Sequence, residues 1–180
     1  MSQHDAAASH AASPSLALAV QIIIGIVLGI AVWLVLATFV FHIHASFASF
    51  LFLWYWAVVE KMDFARLPAT LLGALIGAAL AWQLVFLLAH FGGPGAGVAT
   101  LIILLAIFAQ IMGWAPVAFN GATTLFLTVI TAPLIMGGVN FVDLGKSIVL
   151  GAVYFGGGVY LVQRILTARA QSKTRLDPAL

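Results

Sequence analysis

Cysteine and charge are what this sequence has least of. Its 180 residues contain no cysteine, and charged residues make up only 7%. The lack of cysteine excludes disulfide bonds, thiolate nucleophiles and Cys-ligated metal sites. Soluble domains carry about a quarter of their residues as charged side chains, so seven Lys and Arg with five Asp and Glu cannot solvate a globule of this length. The sequence therefore predicts a protein whose surroundings are mostly lipid.

Long apolar segments account for most of the chain. Hydrophobic residues make up 64% of it, and the mean hydropathy is +1.18. A helix needs about 20 apolar residues to cross a bilayer. We predict an all-α integral membrane protein, a six-transmembrane-helix bundle, because glycine, proline and charged residues divide the apolar sequence into six segments. The predicted spans are 16–40, 45–59, 68–90, 98–112, 117–136 and 147–166. Because the second and fourth are short, five spans or one re-entrant segment is the alternative.

The two ends of the chain predict its orientation. Residues 1–15 contain no Lys or Arg, unlike the basic start of a signal peptide, and are predicted to be a disordered cytoplasmic tail. The six-helix domain follows over 16–167, and 168–180 is predicted to be a basic cytoplasmic tail. With six spans, every Lys and Arg except Lys146 lies on the side of the termini. The positive-inside rule then predicts a multi-pass protein of the bacterial inner (plasma) membrane with both termini cytoplasmic.

Two segments of the chain resemble each other weakly. Arg66–Ala74 opens the third predicted span and Leu144–Ala152 opens the sixth, and both combine Thr or Ser with a Gly-Ala pair. Three helices in each half would give opposite orientations, as in transporters built from two inverted three-helix repeats. The alternative is that both are small-residue-rich membrane helices that pack closely.

Uncharged polar residues inside the spans are the candidate pathway. Asn and Thr side chains recur at helical spacing in the fifth predicted span, where they would line a polar passage without burying a charge. Single glutamines in other spans would face the same passage. The substrate-pathway candidates are Asn120, Thr123, Thr124, Thr128, Thr131, Gln21, Gln83 and Gln110. The alternatives are threonines bonded to their own helix carbonyls and glutamines that bridge two helices.

Signatures of catalysis, metal binding and nucleic-acid binding are missing from the sequence. It has no nucleophile elbow, phosphate-binding glycine loop or His-Glu-x-x-His motif, so we predict no enzyme activity and no cofactor. His42 and His44 have only His90 as a third metal ligand, which favours interfacial histidines over a metal site. The basic residues lie at predicted membrane edges, which predicts no nucleic-acid partner.

One segment resembles a known superfamily. Residues 66–78 are similar to the Arg-x-x-Gly-Thr-x-x-Gly-Ala-x-x-Gly stretch of the fusaric acid resistance and aromatic acid exporter superfamily, with Ala69 where glycine is usual. The size and layout are similar to its compact inner-membrane relatives of the YcdZ type, whose function is unknown. The resemblance implies a transport-related protein for small organic acids. The larger exporters add a soluble cytoplasmic domain that this chain lacks.

Together these features predict an inner-membrane transporter or channel. Its partners would be the lipid bilayer, a small solute such as a small organic acid, and further copies of itself in a homo-oligomer. The alternative is a non-transporting scaffold or anchor subunit of a larger complex. A transporter should place Asn120, Thr124 and Thr128 around a hydrated cavity, whereas a scaffold should bury them in helix contacts.

Overall fold

The described part of the chain is entirely helical. A computed structural model describes residues 15–176, and those residues contain no strand. The helices are α1 (Leu16–Val35, continued by a π-helical turn Leu36–Val40), α2 (Phe47–Val58), α3 (Leu67–Ile111), α4 (Gly121–Ile130), α5 (Pro133–Met136) and α6 (Phe141–Leu176). The helical segments long and apolar enough to cross a membrane are Ala19–Val40, Leu67–Ile111 and Phe141–Ala168. This confirms an all-α protein with helices of membrane-spanning length.

The long helix α3 folds back on itself at Gly92. Gly92 has φ 59° and ψ −137°, which are not helical angles. The Gln83 Nε2 donates a hydrogen bond of 3.2 Å to the Ala99 carbonyl, although a straight helix would separate these residues by about 24 Å. The first arm (67–91) and the second arm (93–111) therefore lie antiparallel. A loop is predicted over 91–97, but in the structure the two arms are joined directly at Gly92.

Four helices form the core. α3 packs most extensively on α4, α2 packs on α6, and α3 also packs against α6. The largest side chains buried between them include Phe52, Trp56, Phe126 and Ile148. The close approach depends on small residues, because side chains on neighbouring membrane helices gain little from apolar contact alone.

Helix α1 joins this core through its second half. The Trp33 Nε1 donates a hydrogen bond of 2.7 Å to the Ser49 Oγ, and the Tyr154 hydroxyl donates one of 3.0 Å to the Gly29 carbonyl. The Trp33 indole is fully buried, whereas the first half of α1 exposes large side chains such as Ile23. The first half is thus left to contact lipid or a partner.

Two asparagines set helix boundaries that differ from the predicted spans. α4 begins at Gly121 rather than at Val117 because Asn120 caps it. α6 begins at Phe141 rather than at Ser147 because the Asn140 Oδ1 accepts hydrogen bonds from two backbone amides of its first turn. Asparagine is among the strongest N-cap residues. α6 also continues to Leu176, through most of the predicted tail. Residues 1–14 and 177–180, which belong to the predicted tails, lie outside the described residues.

Candidate functional site

A cavity of about 500 Å³ lies between the loop before α2 and the segment that links α4 to α6. One part of its wall is polar and the rest is apolar. The lining residues are His44, Ala45, Phe47, Leu134, Ile135, Gly138, Val139, Asn140 and Asp143. A concave site with an apolar wall and a few convergent polar groups is the usual form of a small-molecule site.

The polar wall of this cavity centres on Asp143. The His44 Nδ1 lies 3.4 Å from one carboxylate oxygen of Asp143, and the Lys146 Nζ lies 3.7 Å from the other. The His44 side chain is 90% exposed and that of Asp143 only 15%. The Asp143 carboxylate therefore has a partner at each of its two oxygens.

The opposite end of the helices carries a second group of polar contacts. The Tyr55 hydroxyl donates a hydrogen bond of 3.5 Å to Glu60, and the Arg66 Nε lies 3.8 Å from the other Glu60 oxygen. The Asn120 Nδ2 donates a hydrogen bond of 2.9 Å to the Ala69 carbonyl. A Cβ at Gly121 would lie 2.5 Å from the Tyr55 hydroxyl. The start of α4 is therefore pressed against both α2 and α3.

Asn120 and Thr123 form a capping box at the start of α4. The Asn120 Oδ1 accepts a hydrogen bond from the Ala122 amide, and the Thr123 Oγ1 accepts one from the Asn120 amide. The Thr123 hydroxyl also donates to the Ala118 carbonyl at 2.7 Å. Asn120 is thus a cap outside the helix rather than the first residue of a polar helix face.

The remaining threonines among the predicted pathway residues form hydrogen bonds mainly within their own helix. The Thr128 hydroxyl donates to the Thr124 carbonyl and the Thr131 hydroxyl to the Leu127 carbonyl, each at 2.8 Å. Thr124 differs, because its hydroxyl donates a 2.6 Å hydrogen bond to the Gln110 Oε1 in the second arm of α3. The structure therefore brings together Thr124 and Gln110 from different helical segments, in addition to Asn120 and Thr123 in the capping box.

The other two glutamines lie elsewhere. The Gln83 side chain joins the two arms of α3 by its hydrogen bond to the Ala99 carbonyl, which is the bridging role given above as the alternative. Gln21 lies on the exposed first half of α1. None of the predicted pathway residues lines the cavity beside His44. Their role in a pathway stays a prediction.

Of the cavity residues, the sequence singles out only His44, as a candidate metal ligand with His42 and His90. A local signal was present, since Asn140, Asp143 and Lys146 follow each other at i, i+3 spacing at one helix start. The pairing with His44, which lies 99 residues away from Asp143, has no counterpart in local sequence. Among residues 15–176, no group of three His, Asp or Glu side chains could hold a metal ion.

Comparison with known proteins gave no matching family model, no curated relative and no solved structure. The resemblance to the fusaric acid resistance and aromatic acid exporter superfamily therefore stays a prediction.

Proposed function

We propose that this protein is an inner-membrane transporter or channel for a small solute, such as a small organic acid, and that its pathway opens at the His44 cavity. The observation that carries this proposal is the cavity of about 500 Å³ between the start of α2 and the start of α6. Its polar groups lie at the helix ends, where a solute would enter, beside the apolar lining residues. A scaffold subunit needs no such opening.

The proposed topology has six membrane segments, with the arms of α3 counted separately. α2 has 12 residues and α4 has 10, which correspond to about 18 Å and 15 Å. Neither covers the bilayer core of about 30 Å, so the connections beside them also lie at membrane depth. Non-helical backbone is tolerated there only when it is buried in protein or lines a water-filled cavity. The short helices therefore support a hydrated pathway at their ends.

We further propose that the six segments are two inverted repeats in a register of 74 residues. Gly121 begins α4 74 positions after Phe47 begins α2, and Phe141 begins α6 74 positions after Leu67 begins α3 (121 − 47 and 141 − 67). α2 starts at the face of His44, whereas α4 starts at the face of Glu60. The paired helices therefore run in opposite directions, as inverted repeats require.

The same register relates buried residues and contacts. Phe52 and Phe126 are equivalent and both are fully buried. A Cβ at Gly151 would meet Ser49, and a Cβ at the equivalent Gly77 would meet Thr123, which is itself equivalent to Ser49. One helix contact thus occurs twice with the halves exchanged. This register differs from the alignment of the segments at 66–74 and 144–152.

The orientation and the oligomeric state belong to the same proposal. The distribution of Lys and Arg supports cytoplasmic termini. A homo-oligomer is supported by the exposed first half of α1, where Gly25 has open space around the Cβ position and would admit a close helix partner.

Filling the cavity tests the transport proposal. We expect Gly138→Trp to reduce solute flux at least tenfold, because Gly138 lines the cavity and a Cβ there meets nothing within 4 Å, so that the indole can enter the cavity. The assay is stopped-flow light scattering of proteoliposomes across a panel of small carboxylates and small neutral solutes. Ala31→Trp, on the exposed surface of α1, is the matched control and should retain wild-type flux. Equal flux through both variants would remove the cavity from the pathway.

One observation favours the scaffold alternative. The side chains of Asn120 and Thr124 form hydrogen bonds to other helical segments instead of lining a cavity. Thr124→Val separates the two functions. It removes the hydrogen bond to Gln110, which we expect to lower stability by about 1 kcal/mol. A pathway role predicts an additional fall in flux for protein that is still folded in detergent. Lower melting temperature with unchanged flux would instead assign Thr124 to packing.

A further inference from the structure

The charged wall of the cavity beside His44 is a carboxylate. Asp143 belongs to the lining residues, whereas Lys146, whose Nζ lies 3.7 Å from an Asp143 oxygen, does not. The Asp143 side chain is only 15% exposed, while those of His44 and Lys146 are 90% and 53% exposed. Because ion pairs with exposed partners contribute little, these two groups leave the carboxylate available to a solute. Among the lining residues a solute meets one carboxylate and no lysine or arginine.

The start of α6 holds this carboxylate in place. The Asn140 Oδ1 accepts hydrogen bonds of 2.9 Å from the Val142 amide and 3.2 Å from the Asp143 amide. The backbone of Asp143 is thereby held in the first turn of the helix. An acidic side chain in that position is stabilised as an anion by the helix dipole. The cavity therefore has a negative charge at a defined place in its wall.

The carboxylate has acceptor positions left for a solute. An ionised carboxylate offers about four lone-pair positions, and the contacts that the structure describes for its oxygens are those of the His44 Nδ1 and the Lys146 Nζ. When Nδ1 of a neutral His44 ring donates to Asp143, its Nε2 is a further acceptor. The group that matches such a site best has a positive charge and several donors, as an ammonium group does.

We propose that the solute of this cavity carries an ammonium group, which binds the Asp143 carboxylate. Its apolar part would lie against Phe47, Leu134, Ile135 and Val139. This inference rests on the proposed function and narrows its substrate class. A carboxylate solute without an amino group would face the charge of Asp143, and like charges repel more strongly at a partly buried site than in water. A small organic acid therefore fits only when it also carries an amino group.

Three probes that share one alkyl chain length test the preference. They are n-butylammonium, the neutral n-butyramide and the anionic n-butyrate, and isothermal titration calorimetry of the full chain in detergent at pH 7 measures their binding. We expect n-butylammonium to bind about tenfold more tightly than n-butyramide, because a hydrogen bond to a charged group contributes more than a neutral one. The anion n-butyrate should bind most weakly of the three.

Two substitutions at the site should act in opposite directions. Asp143→Asn removes the charge with little change in size, and should lower the affinity for n-butylammonium about tenfold without changing that for n-butyramide. Lys146→Met removes a competing cation, and should raise the affinity for n-butylammonium by about two- to fivefold. A general loss of folding would lower both. Glu60→Gln is the matched control, because it removes one carboxylate at the opposite end of the helices and should change none of the affinities.

Tightest binding of n-butyrate, equal affinity for all three probes, or equal effects of Asp143→Asn and Glu60→Gln would overturn the assignment. If Asp143→Asn does not elute as folded protein, Lys146→Met decides, and no gain in n-butylammonium affinity would reject the site. Flux of the same probes into proteoliposomes, corrected for protein-free liposomes, tests transport separately. Ammonium binding without flux of any solute would reject transport and retain the site. Flux that depends on Gly138 but is limited to carboxylates would retain transport and reject the ammonium class.

Discussion

Gly77→Ala and Gly151→Ala should each destabilise the protein by about 1–3 kcal/mol, the usual cost of overpacking a core. A methyl group at Gly151 would contact the Cβ and Cα of Ser49, and one at Gly77 would contact the Thr123 carbonyl and the Phe126 Cβ. In both cases the contacts include backbone atoms or a Cβ, which cannot rotate away. Each variant must therefore move two core helices apart. At Gly151 the movement also strains the hydrogen bond from the Ser49 amide to the Ser147 hydroxyl.

Thermal unfolding in detergent, followed by size-exclusion chromatography, measures this effect. Gly157→Ala is the matched control on α6, because a Cβ there meets nothing within 4 Å. The two core variants should lose stability by similar amounts, since the register makes their contacts equivalent. If Gly77→Ala were as stable as wild type while Gly151→Ala was not, the repeat would lose its best structural support.

The second large effect is expected at the reversal of α3. Gly92→Ala should lower stability by about 1–3 kcal/mol, because φ 59° with ψ −137° lies in a region that residues with a Cβ avoid. No side-chain clash is involved, since a Cβ at Gly92 would meet nothing within 4 Å. The cost is therefore one of backbone conformation, and the chain can relieve it only by moving the arms of α3.

The hairpin itself provides the readout for Gly92→Ala. The hydrogen bond from the Gln83 side chain to the Ala99 carbonyl joins the two arms. We expect Gly92→Ala to reduce the melting temperature and to increase amide hydrogen exchange in both arms. Gly93→Ala is the neighbouring control, with open space at the Cβ position and no positive φ. An equal response of the two glycines would show that the angle at Gly92 is not the cause.

The long helices could be predicted from composition alone, and their exact ends could not. Hydropathy over about 20 residues identifies a spanning helix, and on that basis the sequence predicts α1, α6 and the two arms of α3, the arms as separate spans joined by a loop. Asn120 falls at helical spacing with Thr124 and Thr128, so periodicity counts it as part of the helix. The capping role becomes visible only when its oxygen accepts from the Ala122 amide. A cap and a helix face have the same spacing in sequence but different backbone angles.

The site was harder to predict because distant segments build it. His44 and Asp143 are joined across 99 residues, and no local pattern predicts which loop meets which helix end. The repeat was noticed from small residues around Gly73 and Gly151, but glycine and alanine recur at many spacings in packed membrane helices. The 74-residue register becomes apparent only from the positions at which the helices start and from the contacts between buried residues. Both depend on the fold.

The shortness of α4 has a consequence for biogenesis. A segment of 10 helical residues is too short to cross the bilayer core by itself. The Asn120 side-chain amide at its start bonds the Ala69 carbonyl in α3 and two carbonyls just before α4. Because α4 packs most extensively on α3, which is synthesised before it, we infer that α4 enters the membrane against α3, and that helix packing rather than its own hydropathy decides where this segment lies.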